Sequence, residues 1–226
     1  MHPILRPNQE RARYAIIGLY IVAAGTIASV ISGFMQYQLL GSANIGMAEA
    51  EANDQRERII AIINVIIFII NAVLFISWFR RAYFNLHQVP GATPSFTEGW
   101  AAGAWFVPFL NLARPYQIGK EIYQQSKEQA GESDDNNSLP GLWWATFLIM
   151  NISANIAARL ARSAESPEEF KTATLVNLVV EGLTFIAIFM AIRFIKTTSR
   201  YEDAMQHGLL VDEIGEPEKP EQQEQL

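Results

Sequence analysis

The stretch IIAIINVIIFIINAVLFISWF, residues 59–79, decides the fold class, because it holds no charged side chain. In a bilayer core every backbone N–H and C=O needs an internal partner, and a helix of about twenty apolar residues meets that need while crossing it. Three further long and predominantly apolar stretches lie at 14–40, 142–161 and 173–195. Glu181 is the one carboxylate within the four stretches. The sequence therefore predicts an all-α integral membrane protein with four transmembrane helices.

The bulk composition limits the kind of protein further. Four spans in 226 residues leave no loop long enough for a separate soluble core, so one membrane domain at 14–200 is expected. A short cytoplasmic N-terminus at 1–13 precedes it, and an acidic, disordered cytoplasmic tail at 201–226 follows it. The net charge of −6 argues against a nucleic-acid partner, and the lack of cysteine excludes disulfides and Cys-ligated metals within this chain. No cofactor and no metal are expected.

The basic residues are distributed unevenly between the two ends of the spans. Twelve lysines and arginines lie before the first span, between the second and third, or from Arg193 onward, and five lie in the two remaining loops. Because loops rich in Lys and Arg stay in the cytoplasm, both termini and the central loop are predicted to be cytoplasmic. The first apolar stretch is too long for a signal-peptide core and is expected to be an uncleaved anchor in a bacterial inner membrane.

The loop between the second and third spans is the least ordinary part of the chain. It divides into a central cytoplasmic element at 80–125 and a polar linker at 126–140. Within the element, residues 96–116 read FTEGWAAGAWFVPFLNLARPY. Its uncharged stretch at 99–110 would measure about 18 Å as a helix, which is too short to cross a bilayer. We therefore expect a re-entrant or interfacial cytoplasmic helix that is broken at Pro108.

The central element also holds most of the candidate binding residues. Two tryptophans fit the boundary between membrane and water, and Asn111 and Arg114 are placed to donate hydrogen bonds to backbone freed by the prolines or to lipid phosphate. An alternative is that the element is a folded rim that seals the bundle. The candidate set is Arg80, Arg81, Asn85, Trp100, Trp105, Pro108, Asn111, Arg114 and Tyr116.

These residues also carry a resemblance to a known family. Trp78-x-Arg-Arg-Ala-Tyr-x-Asn-Leu, ending at Leu86, is followed by Trp105-Phe-Val-Pro-Phe-x-Asn-Leu-x-Arg-Pro-Tyr, ending at Tyr116. The pair resembles DUF4328, a bacterial membrane family described as a domain of unknown function, and the resemblance extends over roughly 14–200. It implies a four-span bacterial membrane protein and no assigned activity.

Polar residues inside the spans form a second candidate set. Amides and a carboxyl that faced lipid would stay unsatisfied, so we expect them to turn inward and to form hydrogen bonds between helices. Glu181 is the exception, because a buried ionisable group is either a proton or cation site or a neutral acid held by amides such as Asn151. Gly25, Ser29 and Gly33 form a small-residue stripe for helix packing or self-association. The intramembrane candidates are Asn151, Asn155, Asn177 and Glu181, with Asn64 and Asn71 on the second span.

No assembled catalytic set is present in the sequence. The three histidines are far apart, and there is no phosphate-binding loop or nucleophile elbow. The preferred hypothesis is a non-enzymatic membrane module that binds a protein partner or lipid head groups through its central element. One alternative is a small transporter or channel that passes a proton or cation through Glu181. Another is a membrane-embedded lipid-modifying enzyme. Membrane lipids, a protein partner or a second copy of the chain are the expected partners.

Overall fold

The computed structural model describes residues 5–132 and 137–215, and all secondary-structure elements in these residues are helices. Four long helices are α1 (Gln9–Leu40), α2 (Met47–Leu86), α5 (Leu139–Ser163) and α6 (Pro167–Gly215). The central element contains α3 (Trp100–Gly103), a 3₁₀ turn (Leu110–Leu112) and α4 (Arg114–Gln129).

All four predicted spans are confirmed as helices that are long and apolar enough to cross a membrane. The protein is therefore a multi-pass membrane protein. Asn8 and Gln9 contact Glu202 and Asp203, so the beginning of α1 and the end of α6 lie at the same end of the bundle. We call this the terminal end. The 49 residues of α6 extend over about 73 Å, more than twice a bilayer core, so the helix projects beyond the membrane.

Helix starts follow local sequence signals. At the start of α6, Ser166 Oγ accepts the N–H of Glu169, and the Glu169 carboxylate accepts the N–H of Ser166, at 3.3 Å and 3.2 Å. Pro167 occupies the first helical position, where its missing N–H costs nothing. Pro115 and Pro140 stand at the starts of α4 and α5 for the same reason.

The first span holds the bundle together, because α1 packs along both α2 and α6, while α5 packs along α6. Two glycines of α1 receive two amides of α2 with the same seven-residue spacing. A Cβ added at Gly18 would lie 2.6 Å from Oδ1 of Asn71, and one at Gly25 would lie still closer to Oδ1 of Asn64. Asn64 also donates to Ser29 Oγ at 2.7 Å. The small-residue stripe therefore serves packing within the chain.

The central element fills the space between α2 and α5 at the terminal end. Trp105 contacts Phe75 and Phe79 of α2 on one side, and Trp144 and Phe147 of α5 on the other, with ring centroids 5.7–6.0 Å apart. Its indole N–H donates to Ala101 O at 3.1 Å. The element is thus a wedge that joins two helices through aromatic contacts.

Three sequence expectations need correction. The stretch 99–110 is not one helix broken at Pro108, because α3 ends at Gly103 and turns carry the chain to Phe109, which has φ 65°. The linker expected at 126–140 is shorter, since α4 continues to Gln129 and α5 begins at Leu139; residues 133–136 lie outside the described residues. The tail expected to be disordered from 201 is helical through Gly215, and 216–226 lie outside the described residues.

Candidate functional site

A pocket of about 470 Å³ opens at the terminal end between the N-terminal segment, α2 and the central element. Four of its lining residues are arginines, and most of the others are apolar. The arginines are Arg6, Arg11, Arg80 and Arg81, and the other lining residues are Val73, Ile76, Ser77, Phe84, Glu98, Ala102 and Phe106. We call this cavity the arginine pocket.

Asn85 brings the N-terminal arginines to those of α2. Its side-chain amide pairs with the main chain of Arg6, accepting the Arg6 N–H at 2.9 Å and donating to the Arg6 carbonyl at 2.8 Å. The Arg6 guanidinium lies 4.2 Å above the Phe84 ring, and the Arg11 guanidinium donates to the Ser77 carbonyl at 3.3 Å. Two segments more than sixty residues apart in sequence thus supply the pocket.

The pocket carries an excess of positive charge. Among the described residues Glu98 is its one lining acid, and it lies 3.8 Å from Arg80, with both side chains substantially exposed, so this pair contributes little. Burial, followed by the charges of Arg11 and Arg6, lowers the pKa of Arg81. Within residues 5–132 and 137–215, no group accepts a hydrogen bond from the Arg81 guanidinium. An anion is the chemical complement of such a site.

A buried carboxylate that the sequence analysis missed lies behind the pocket. Glu202 is 5% exposed, and its two oxygens accept N–H groups from Asn8, at 2.9 Å, and from Asn85. The pKa of Glu202 is raised, chiefly by burial, and the hydrogen bonds from Asn8 and Asn85 and the charge of Arg81 oppose this shift. The available sequence signal was a helical repeat of mostly apolar residues that continues past the fourth span. Its members are all buried: Phe194, Ile195, Thr198, Tyr201 and Met205.

The candidate residues of the central element fall into three groups. Arg80 and Arg81 line the pocket, and the fully buried Asn85 supports it. Trp105 is part of the aromatic wedge, and Arg114 stacks on Phe96 and Trp100, 4.1 Å and 4.8 Å from the ring centroids. The remaining candidates are not in the pocket: Pro108 and Asn111 are exposed, and Tyr116 is half-buried.

A polar cluster fixes the loop that leads into the central element. The hydroxyl of Tyr83 lies 2.8 Å from a Glu121 oxygen and accepts the N–H of Phe96 at 3.1 Å. The same Glu121 oxygen accepts the N–H of Ser95, and the His87 ring lies 2.9 Å from the Phe96 carbonyl. This loop therefore has a defined position relative to α2 and α4.

The intramembrane candidates do not come together as a site. The amides of Asn151 and Asn155 donate to carbonyls four residues earlier in their own helix, both at 2.8 Å, instead of bonding between helices as expected. Asn155 and Asn177 are exposed on the bundle surface, and Glu181 is half-buried. The expectation that these side chains turn inward together was wrong. Own-helix carbonyls satisfy a lipid-facing amide without a partner helix.

Comparisons with known proteins give a family and no activity. The sequence profile of the domain of unknown function DUF4328 matches residues 41–200. The match contains spans two to four and both motifs of the central element. No curated protein and no solved structure matches the chain. Among the residues that the structure describes, no group of three His, Cys, Asp or Glu side chains is placed to hold a metal ion.

Proposed function

The chain belongs to the DUF4328 family, and for this member we propose a non-enzymatic membrane module that binds the phosphate of an anionic lipid head group in the arginine pocket. The observation that carries the proposal is the convergence of four arginines at the end of an apolar span.

The charge of the pocket supports a phosphate ligand. A guanidinium presents paired N–H groups that match two phosphate oxygens, and such charge-assisted bonds are stronger than neutral ones. In the described part of the chain four guanidiniums face one lining acid, and that acid is exposed. An anion would relieve the mutual repulsion of Arg6, Arg11 and Arg81.

The apolar part of the pocket supports a lipid as the source of that phosphate. Val73 and Ile76 line the same cavity and belong to the apolar stretch of α2, about one to two helical turns before Arg80. Phe106 lines it from the central element and is 77% exposed. A phospholipid would place its head group on the arginines and its acyl chains along these apolar side chains.

The tip of the central element supports the same orientation toward a membrane. Phe109 is 85% exposed and adopts φ 65°, a backbone region that is unfavourable for a bulky residue. With Phe106 and Leu112 it presents an apolar surface beside the pocket, suited to the boundary between head groups and acyl chains. We propose that this end is cytoplasmic, where anionic lipid is abundant.

Passage of a proton or cation through Glu181 has less support. The carboxyl group is half-buried, and within the described residues it has no hydrogen-bond partner and no second intramembrane carboxylate beside it. A relay needs a succession of such groups. The lining of the arginine pocket likewise offers no acid and base pair for a lipid-modifying reaction.

The test is lipid binding by the purified full chain in detergent micelles. Short-chain phosphatidylglycerol and phosphatidic acid should bind, and phosphatidylcholine should bind weakly or not at all. Arg81→Gln should weaken binding of the anionic lipids about ten- to a hundredfold, as expected for the loss of a hydrogen bond to a charged group.

Two controls make the test specific. Arg13→Gln removes the same charge from an exposed residue outside the pocket lining and should leave binding unchanged. Glycerol phosphate is used as a competitor to separate a lipid from a soluble phosphate. If Arg81→Gln and Arg13→Gln had equal effects, or if glycerol phosphate competed as well as the lipid, the head-group proposal would be refuted.

A further inference from the structure

We infer that the carboxylate of Glu202 is an internal counter-charge of the arginine pocket, which lowers the affinity of the pocket for an anionic ligand. The inference rests on the proposed function, because it concerns regulation of the same site. It assigns to the cytoplasmic extension of α6 a role in setting how tightly the pocket binds.

The position of Glu202 places its charge behind the arginines. The carboxylate bonds to Asn85, which lies four residues after Arg81 on α2, so the two side chains are neighbours on one helical face. Its other oxygen accepts from Asn8, two residues after Arg6. The carboxylate therefore lies between the N-terminal segment and α2, the two elements that supply the arginines.

The hydrogen bonds around Glu202 favour the ionised form. The Asn85 amide is oriented by the main chain of Arg6, which both donates to its oxygen and accepts from its nitrogen. Its nitrogen must therefore face Glu202 as a donor. The nitrogen of Asn8 faces the other carboxylate oxygen and also lies within 3.4 Å of the Trp78 carbonyl. A protonated carboxyl would need an acceptor where these two amides present donors.

Glu202 and Arg81 influence each other without direct contact. Each charge favours the ionised form of the other, yet the described chain contains no ion pair between them. The guanidinium thus remains free to bond to a ligand, while the carboxylate cancels part of the positive field in a poorly screened interior. An anion entering the pocket therefore experiences a weaker attraction than the arginines alone would give.

The charges that act on Glu202 and on Arg81 come from three elements. Asp203 of α6 and Arg81 of α2 act on Glu202, while Arg6 and Arg11 from the N-terminal side and Arg80 of α2 act on Arg81. Asp203 is exposed and accepts a hydrogen bond from Gln9 at 2.7 Å. It therefore provides a carboxylate of equal charge, in the same helical turn, on the solvent side.

The test is anionic-lipid affinity of the full chain carrying Glu202→Gln, in the micelle assay described above. Glutamine has the shape of glutamate, and its oxygen can accept from Asn85 while its nitrogen replaces the oxygen that faces Asn8. We expect about threefold to tenfold tighter binding, from loss of one screened charge. Asp203→Asn should change affinity little, and in an Arg81→Gln background Glu202→Gln should lose its effect.

A charge-swapped variant covers the case in which Glu202→Gln does not fold. Asn8→Asp with Glu202→Gln keeps one carboxylate and one amide in the cluster and should bind as the wild type does. The inference is overturned if Glu202→Gln folds and binds no more tightly, if Asp203→Asn tightens binding equally, or if the swapped variant binds tightly. Loss of binding in Arg81→Gln with no change in Glu202→Gln would overturn this inference alone, whereas no binding by the wild type would overturn the proposed function as well.

Discussion

Replacing Asn85 with alanine should release the N-terminal segment from the bundle. The side chain is 1% exposed and makes three hydrogen bonds, two with the main chain of Arg6 and one with the Glu202 carboxylate. Alanine removes all three and fills less space. The spans themselves keep their contacts, so the effect should be local rather than global.

The free-energy cost of Asn85→Ala follows from the hydrogen-bonding groups that lose a partner. Arg6 is exposed, so water can replace the two lost main-chain bonds at small cost. Glu202 is 5% exposed and keeps one donor, Asn8, so loss of the second bond to this charged group costs about 1.5–3 kcal/mol. With the cavity left by the side chain, we expect about 3 kcal/mol for detachment of the segment, which corresponds to roughly a hundredfold more frequent opening.

Amide hydrogen exchange over residues 5–12 measures this opening directly. Exchange should accelerate by roughly two orders of magnitude in Asn85→Ala, while peptides from the spans change little. Asn111→Ala is the matched control, because Asn111 is an exposed asparagine of the central element and its side chain makes no hydrogen bond in the described structure. Unchanged protection of residues 5–12 in Asn85→Ala would refute the inference that Asn85 holds the N-terminal segment on the bundle.

Three further outcomes test other parts of the structure. Gly25→Ala should lower the thermal unfolding midpoint in micelles, because the added methyl group meets Asn64; Gly182→Ala, with no atom within 4 Å of the added carbon, should leave the midpoint unchanged or raise it. Tyr83→Phe should cost about 1–2 kcal/mol and speed hydrogen exchange over 93–96, and equal exchange would show that the Glu121 contact does not hold this loop. In proteoliposomes, Glu181→Gln and the wild type should show the same proton flux as empty vesicles, and a wild-type flux lost in the variant would favour the transport hypothesis.

The spans were predictable because a long apolar run is a local property of the chain. A helix of that length satisfies its own backbone in lipid, whatever its neighbours are. The central element was only partly predictable. Pro108 indicated a break, but the early end of α3 depends on Trp105, which packs between α2 and α5. A sequence window cannot show such a tertiary contact.

The site was less predictable than the fold, because its residues lie far apart in the sequence. Arg80, Arg81 and Asn85 lie in one motif and were recognised together, whereas Arg6 and Arg11 reach them only after α1 has packed along α2. The interhelical role expected for Asn151 failed because a helix can satisfy an amide with its own carbonyl. Glu202 was assigned to a disordered tail because composition outweighed the helical repeat of its buried neighbours.

Asn85 binds the backbone of Arg6, whereas the side chain of Arg6 supplies charge to the pocket. The amide recognises the N–H and C=O of Arg6, and these main-chain groups are the same for any residue except proline, which lacks the N–H. The guanidinium of Arg6 is left to lie over Phe84 at the pocket wall. The attachment of the N-terminal segment therefore depends on the backbone at position 6, and the charge of the pocket depends on the Arg6 side chain. Because Asn85 holds both this backbone and the Glu202 carboxylate, one buried amide couples the N-terminal segment and the extension of α6 to the end of the second span.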